Sequence, residues 1–67
     1  MKQKQFVAKF VLNGLLYSIY FFPFSSEGPV YRLYARHLQC KRSLPLNSYE
    51  TESGAVYGAV VDSQEYV

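Results

Sequence analysis

The sequence predicts a small α+β domain in the order β-hairpin, helix, β-hairpin, a ββαββ-like arrangement over residues 1–67. Three observations carry that expectation. Asn13-Gly14 separates two apolar runs, Phe6–Leu12 and Leu15–Phe22. Apolar side chains then recur at helical spacing after Pro29. A second pair of short β-prone segments flanks Ser53-Gly54. A small all-β fold is the alternative.

The first hairpin rests on turn chemistry. Asn-Gly tolerates φ > 0 at both central positions of a type I′ turn, whose twist matches that of paired strands. A two-residue loop pairs Leu12 with Leu15, Phe10 with Tyr17, Ala8 with Ile19 and Phe6 with Phe21. All eight side chains then share one face. The other face carries Val7, Lys9 and Val11 opposite Tyr20, Ser18 and Leu16.

Pro23, Ser25-Ser26 and Gly28-Pro29 mark a loop. Pro29 suits the first turn of a helix, where its missing N–H costs nothing. Val30, Leu33, Tyr34, His37 and Leu38 follow at i, i+3, i+4, i+7 and i+8, with Arg32, Arg36 and Gln39 opposite. Glu27 before the segment and Lys41-Arg42 after it suit the helix dipole. A helix over residues 30–39 is therefore expected. A strand competes, because Tyr31, Leu33 and Ala35 alternate with Arg32, Tyr34 and Arg36. Ser48–Glu52 and Ala55–Val61 make the second hairpin, pairing Thr51 with Val56 and Tyr49 with Gly58. The Gly54/Gly58 spacing matches a helix-dimer pattern only by chance on this reading. Asp62–Val67 is expected to be a frayed tail.

Size limits what this chain can be. A single small core supplies only about 3–5 kcal/mol. Cys40 is the only cysteine and His37 the only histidine, so neither an intrachain disulfide nor a four-ligand zinc site is available. Seven Tyr and five Phe must do the packing, or self-association must help, and a homodimer is expected. A lone cysteine points to a reducing compartment, hence the cytoplasm. Cys40 itself reads as a small, partly buried side chain near the end of an element.

Phe6–Phe24 raises the possibility of a membrane anchor, with residues 6–22 as its core. Lys9, Asn13, Gly14 and Ser18 interrupt it, and a central Lys costs about 2.5–3.5 kcal/mol in a bilayer. A soluble hairpin is favoured. A leader peptide is not expected, because Lys9 would fall inside its apolar region.

Catalysis finds no foothold in the sequence. His37 has no nucleophile or orienting acid grouped with it by spacing. Glu50 and Glu52 share a face only if they lie in a strand, and no third ligand stands at metal spacing. There is no phosphate-binding loop, so neither an enzyme nor a cofactor is expected. Charge is more informative. Seven cations against Glu27 leave residues 1–42 at +6, and four acids leave residues 43–67 at −4. Basic and aromatic side chains interleave from Tyr31 to His37. The candidate binding residues are Tyr31, Arg32, Tyr34, Arg36, Lys41 and Arg42. The expected role is non-catalytic and regulatory, with a protein partner held on this aromatic–basic surface. A nucleic-acid binder using residues 32–42 is the alternative, and a membrane-associated protein the third.

Overall fold

A computed structural model describes residues 4–65. Among the described residues four antiparallel strands form one sheet in sequential order: β1 (Gln5–Leu12), β2 (Leu15–Phe22), β3 (Val30–His37) and β4 (Leu44–Tyr49). One helix, α1 (Glu52–Gln64), follows and packs on one face of the sheet. The domain is α+β, but its order is ββββα. This corrects the hairpin–helix–hairpin expectation in its second half.

The β1–β2 turn forms as its sequence requires. Asn13 has φ 52° and Gly14 φ 80°, and Leu12 pairs with Leu15. Phe10 pairs with Tyr17 and Ala8 with Ile19, as expected. The register then slips at Val7, so Phe6 faces Tyr20 rather than Phe21. One extra residue in an edge strand makes a bulge and reverses the face of everything beyond it. Phe6 therefore leaves the helix side of the sheet.

Residues 30–37 are a strand, not the expected helix. β2 ends its pairing with β1 on one side and offers a full row of N–H and C=O groups on the other. β3 satisfies all of it, from Leu15 opposite His37 to Phe22 opposite Val30. Alternation also fits better than helical spacing. Leu33 and Ala35 are buried against α1, while Arg32, Tyr34 and Arg36 take the opposite face. Gly28, at φ 90°, ends the preceding turn, where the Ser25 hydroxyl donates to the Gly28 carbonyl at 2.6 Å.

The C-terminal segment is helical where a hairpin and a frayed tail were expected. Thr51 is the N-cap: its hydroxyl accepts the Gly54 N–H at 3.0 Å, and Glu52 sits in the first turn. Ala55, Ala59 and Ser63 recur every fourth residue and are buried against the sheet. Small side chains bring the helix close. A Cβ added at Gly58 would run into the phenol of Tyr49, so that ring lies on the helix backbone. The expected strand pairing of Tyr49 with Gly58 does not form; Tyr49 pairs with Tyr31 in the sheet, and its ring lies on the helix at Gly58.

Two polar contacts fix the far end of α1 to the first hairpin. The Tyr17 hydroxyl donates to the Asp62 carboxylate at 2.7 Å, and the Asn13 side-chain amide donates to the Ser63 carbonyl at 2.9 Å. Asn13 thereby shapes the turn and satisfies a carbonyl of the last helical turn. The core between the layers is Leu15, Tyr17, Ile19, Leu33, Ala35, Ala55 and Ala59. No helix among the described residues is long and apolar enough to cross a membrane, and residues 6–22 fall within β1, β2 and their turn.

Candidate functional site

The helix covers one face of the sheet and leaves the other open. The open face is built by alternation. β2 contributes Leu16, Ser18, Tyr20 and Phe22, and β3 contributes Arg32, Tyr34 and Arg36. β1 adds Lys9 and Val11 and, through the bulge, Phe6. β4 adds Pro45 and Ser48, opposite Tyr34 and Arg32.

The rings on this face form a chain across three strands. Tyr20 stands edge-on to Phe6, with centroids 5.7 Å apart and planes at 71°. It meets Tyr34 in the same way, at 5.8 Å and 85°. These are the geometries that ring quadrupoles favour. Cations are set among the rings. Lys4 Nζ lies 4.7 Å from the Tyr20 centroid, and the Arg32 guanidinium lies 4.8 Å from that of Phe22. Such contacts are worth about 0.5–1 kcal/mol at exposed sites and hold the charge near the surface. Arg32 Nε is covered and has no acceptor among the described residues. Arg36 anchors one end by donating to the Cys40 carbonyl at 2.7 Å.

The sign of the charge is uniform. None of the four strands contains an Asp or Glu. The acids are elsewhere: Glu27 and Glu50 in loops, Glu52 and Asp62 on α1, and Glu65 at its C-cap. The open face thus gathers Lys4, Lys9, Arg32 and Arg36 with no carboxylate between them.

The structure divides the residues singled out from sequence. Arg32, Tyr34 and Arg36 come together on the open face. Tyr31 points to the helix side, its ring 4.7 Å from Phe21 and packed on the core. Lys41 and Arg42 lie in the exposed β3–β4 loop. Arg42 borders a cleft with Leu44, Leu46 and Asp62 on the helix side. Lys4, Phe6, Tyr20 and Phe22 belong to the surface but were not among those candidates. For Tyr20 the signal was present, since the hairpin register already put it on the same face as Lys9. Phe6 was hidden by the bulge.

The other reactive groups lie away from the open face, and His37, Cys40 and Asp62 border the cleft that Arg42 also lines. His37 ends β3 at the surface, and Cys40 is exposed in the loop rather than partly buried. Glu50 and Glu52 flank Thr51 at the start of α1 instead of sharing a strand face. Among the described residues no three His, Cys, Asp or Glu side chains stand together as metal ligands. No protein-family model, curated protein or solved structure matches the chain, so the reading of this face rests on its chemistry.

Proposed function

We propose that the open face of the sheet binds single-stranded nucleic acid without catalysis. The observation that carries the reading is the pairing of a ring array with cations on a surface free of acids. Phosphates need cations, and bases exposed by the absence of a second strand need flat apolar rings. Phe6, Tyr20, Phe22 and Tyr34 supply the rings. Lys4, Lys9, Arg32 and Arg36 supply the charge. Supporting this reading, Arg32, Tyr34 and Arg36 share one face of β3, turned away from the core that Leu33 and Ala35 enter. The modest size of the face suits a few nucleotides and predicts binding with little sequence preference.

Fluorescence anisotropy with a labelled oligonucleotide tests this. The single strand is expected to bind more tightly than a duplex of the same length. Tyr34→Ala should weaken it by the roughly 1–3 kcal/mol that one stacked base contributes. Absence of binding at low salt, or equal affinity for duplex with no effect of Tyr34→Ala, would overturn the reading.

A protein partner with an acidic surface is the second reading. Arg and Tyr side chains are frequent anchors of protein interfaces, and Phe6 is more than half exposed. Retention by an acidic polypeptide but not by an oligonucleotide of equal charge would favour it.

A further inference from the structure

We infer that the outward face of α1 docks a basic amphipathic segment of another protein, with a Lys or Arg side chain of that segment in a groove beside Gly58. The helix is built inside out. Its buried side chains are small, Ala55, Ala59 and Ser63, whereas its larger apolar ones reach solvent. Val56 and Val60 are each 37% exposed, Val61 41% and Tyr57 70%. A helix serving only its own core carries its large apolar residues on the inner side.

The groove owes its shape to a missing side chain. At Gly58 the Tyr49 phenol occupies the space that a Cβ would take. Tyr49, Tyr57 and Val61 wall a groove of about 330 Å³ there, and Asp62 and Glu65 line it as well. Rings beside carboxylates are what a long cationic side chain needs. Its aliphatic stem packs on the rings, and its charged head meets the carboxylates.

Charge names the occupant. Glu52, Asp62 and Glu65 border the exposed apolar stripe, and α1 contains no Lys, Arg or His. Asp62 and Glu65 stand at the negative end of the helix dipole, where cations are favoured and carboxylates are not. The last turn supplies no basic residue to offset them. Arg42 lines the cleft on the other side of Asp62, not this groove. The compensating cation therefore comes from outside the helix.

The same charges rule against other occupants. A nucleic acid or an anionic membrane would be repelled. A second α1 laid antiparallel would set acids against acids. The chain's own open face is a poor fit, because Arg32 lies on Phe22 and Arg36 is tied to the Cys40 carbonyl. A foreign segment carrying free Lys or Arg beside apolar residues matches both the stripe and its acidic border. The site is on the opposite side of the sheet from the open face and does not depend on what that face binds.

Fluorescence anisotropy of the full chain with a labelled synthetic peptide of leucine and arginine at helical spacing tests this. Binding is expected in the range of tens of micromolar. Replacing arginine by glutamate, or leucine by serine, in the peptide should weaken it at least about tenfold. Glu65→Lys should weaken the leucine–arginine peptide at least about fivefold, whereas Glu27→Lys, an equal charge change in the β2–β3 loop, should alter it less than about twofold. Tyr57→Ser should also weaken it at least about fivefold, and Lys9→Ala on the open face less than about twofold. Circular dichroism checks that each variant is folded; if Tyr57→Ser unfolds the chain, the two glutamate variants decide. No binding up to about 500 μM would overturn the inference. So would equal responses of Glu65→Lys and Glu27→Lys. A dimer in sedimentation that Tyr57→Ser dissolves would assign the face to the chain's own copy, and anionic vesicle binding that Tyr57→Ser abolishes would assign it to lipid; either result overturns the inference.

Discussion

The two faces of the sheet are made from the same strands and nearly the same residue types, yet they do different work. The helix side holds Phe10, Tyr17, Phe21, Tyr31 and Tyr49; the open side holds Phe6, Tyr20, Phe22 and Tyr34. What separates them is the company the rings keep. On the helix side they pack against Leu15, Ile19, Leu33 and the alanines of α1, and Tyr17 places its one polar atom on Asp62. On the open side they touch Lys4, Arg32 and one another. Aromatic content alone therefore does not locate a core. The difference lies in whether a second layer of small side chains closes over the rings or cations keep them at the surface.

Substitution of sequence neighbours is the strongest way to break that comparison. Ile19 and Tyr20 are adjacent but on opposite faces. Ile19→Ala empties a fully buried site and should cost about 2–5 kcal/mol. In so small a domain that is enough to leave much of the chain unfolded at room temperature. Tyr20→Ala should cost about 1 kcal/mol through its lost ring contacts and leave the fold intact. Equal losses in chemical denaturation would mean the open face is also a core.

The turn that fixes which residues belong to which face comes next. Gly14 sits at positive φ with open space where a Cβ would point, so a substitution there is penalised by backbone strain and not by a clash. Gly14→Val should destabilise by about 1–3 kcal/mol. Gly14→Ala should destabilise by about 1 kcal/mol or slightly more. A stabilising alanine, read from urea midpoints, would contradict the turn.

Asn13→Asp sharpens the tie between the turn and the helix. It keeps a residue that tolerates positive φ but removes the amide that donates to the Ser63 carbonyl. It also places an anion near the negative end of α1. The expected loss is about 1 kcal/mol in thermal or urea unfolding at neutral pH. Asn13→Gly, which loses the hydrogen bond alone, should cost less.

The first hairpin was legible because its information is local. Two residues specify the turn, and the turn specifies the register up to Ala8. The bulge at Val7 was not legible, since the pairing could have run on unbroken from the same residues. Residues 30–37 carried both a helical and an alternating pattern. The vacant edge of β2 decided between them, and a vacant edge belongs to the sheet and not to the segment. The helix at Glu52–Gln64 was missed for the opposite reason. Its Val, Gly and Tyr residues disfavour a helix on propensity, and its large apolar side chains point outward. The Thr51 cap with Glu52 behind it was the one local sign of a helix start. On the open face, Arg32, Tyr34 and Arg36 were found from their interleaving. Their companions come from elsewhere in the sequence: Phe6 from β1, Tyr20 from β2 and Lys4 from just before β1.

The smallest effect on stability should accompany a large effect on binding. Lys9→Ala removes a surface cation and should change unfolding free energy by no more than about 0.5 kcal/mol, and Arg36→Ala, which also removes the exposed hydrogen bond to the Cys40 carbonyl, by about 1 kcal/mol. The most direct test of the open face is the salt dependence of oligonucleotide affinity in the wild type and in the Lys9→Ala/Arg36→Ala double variant. Four phosphate-neutralising cations predict a slope of about −3 in log affinity against log salt for a single strand. Removing two of them should reduce its magnitude by about 1.4. An unchanged slope in the folded double variant, or affinity indifferent to salt in the wild type, would contradict a role for this face in binding a polyanion.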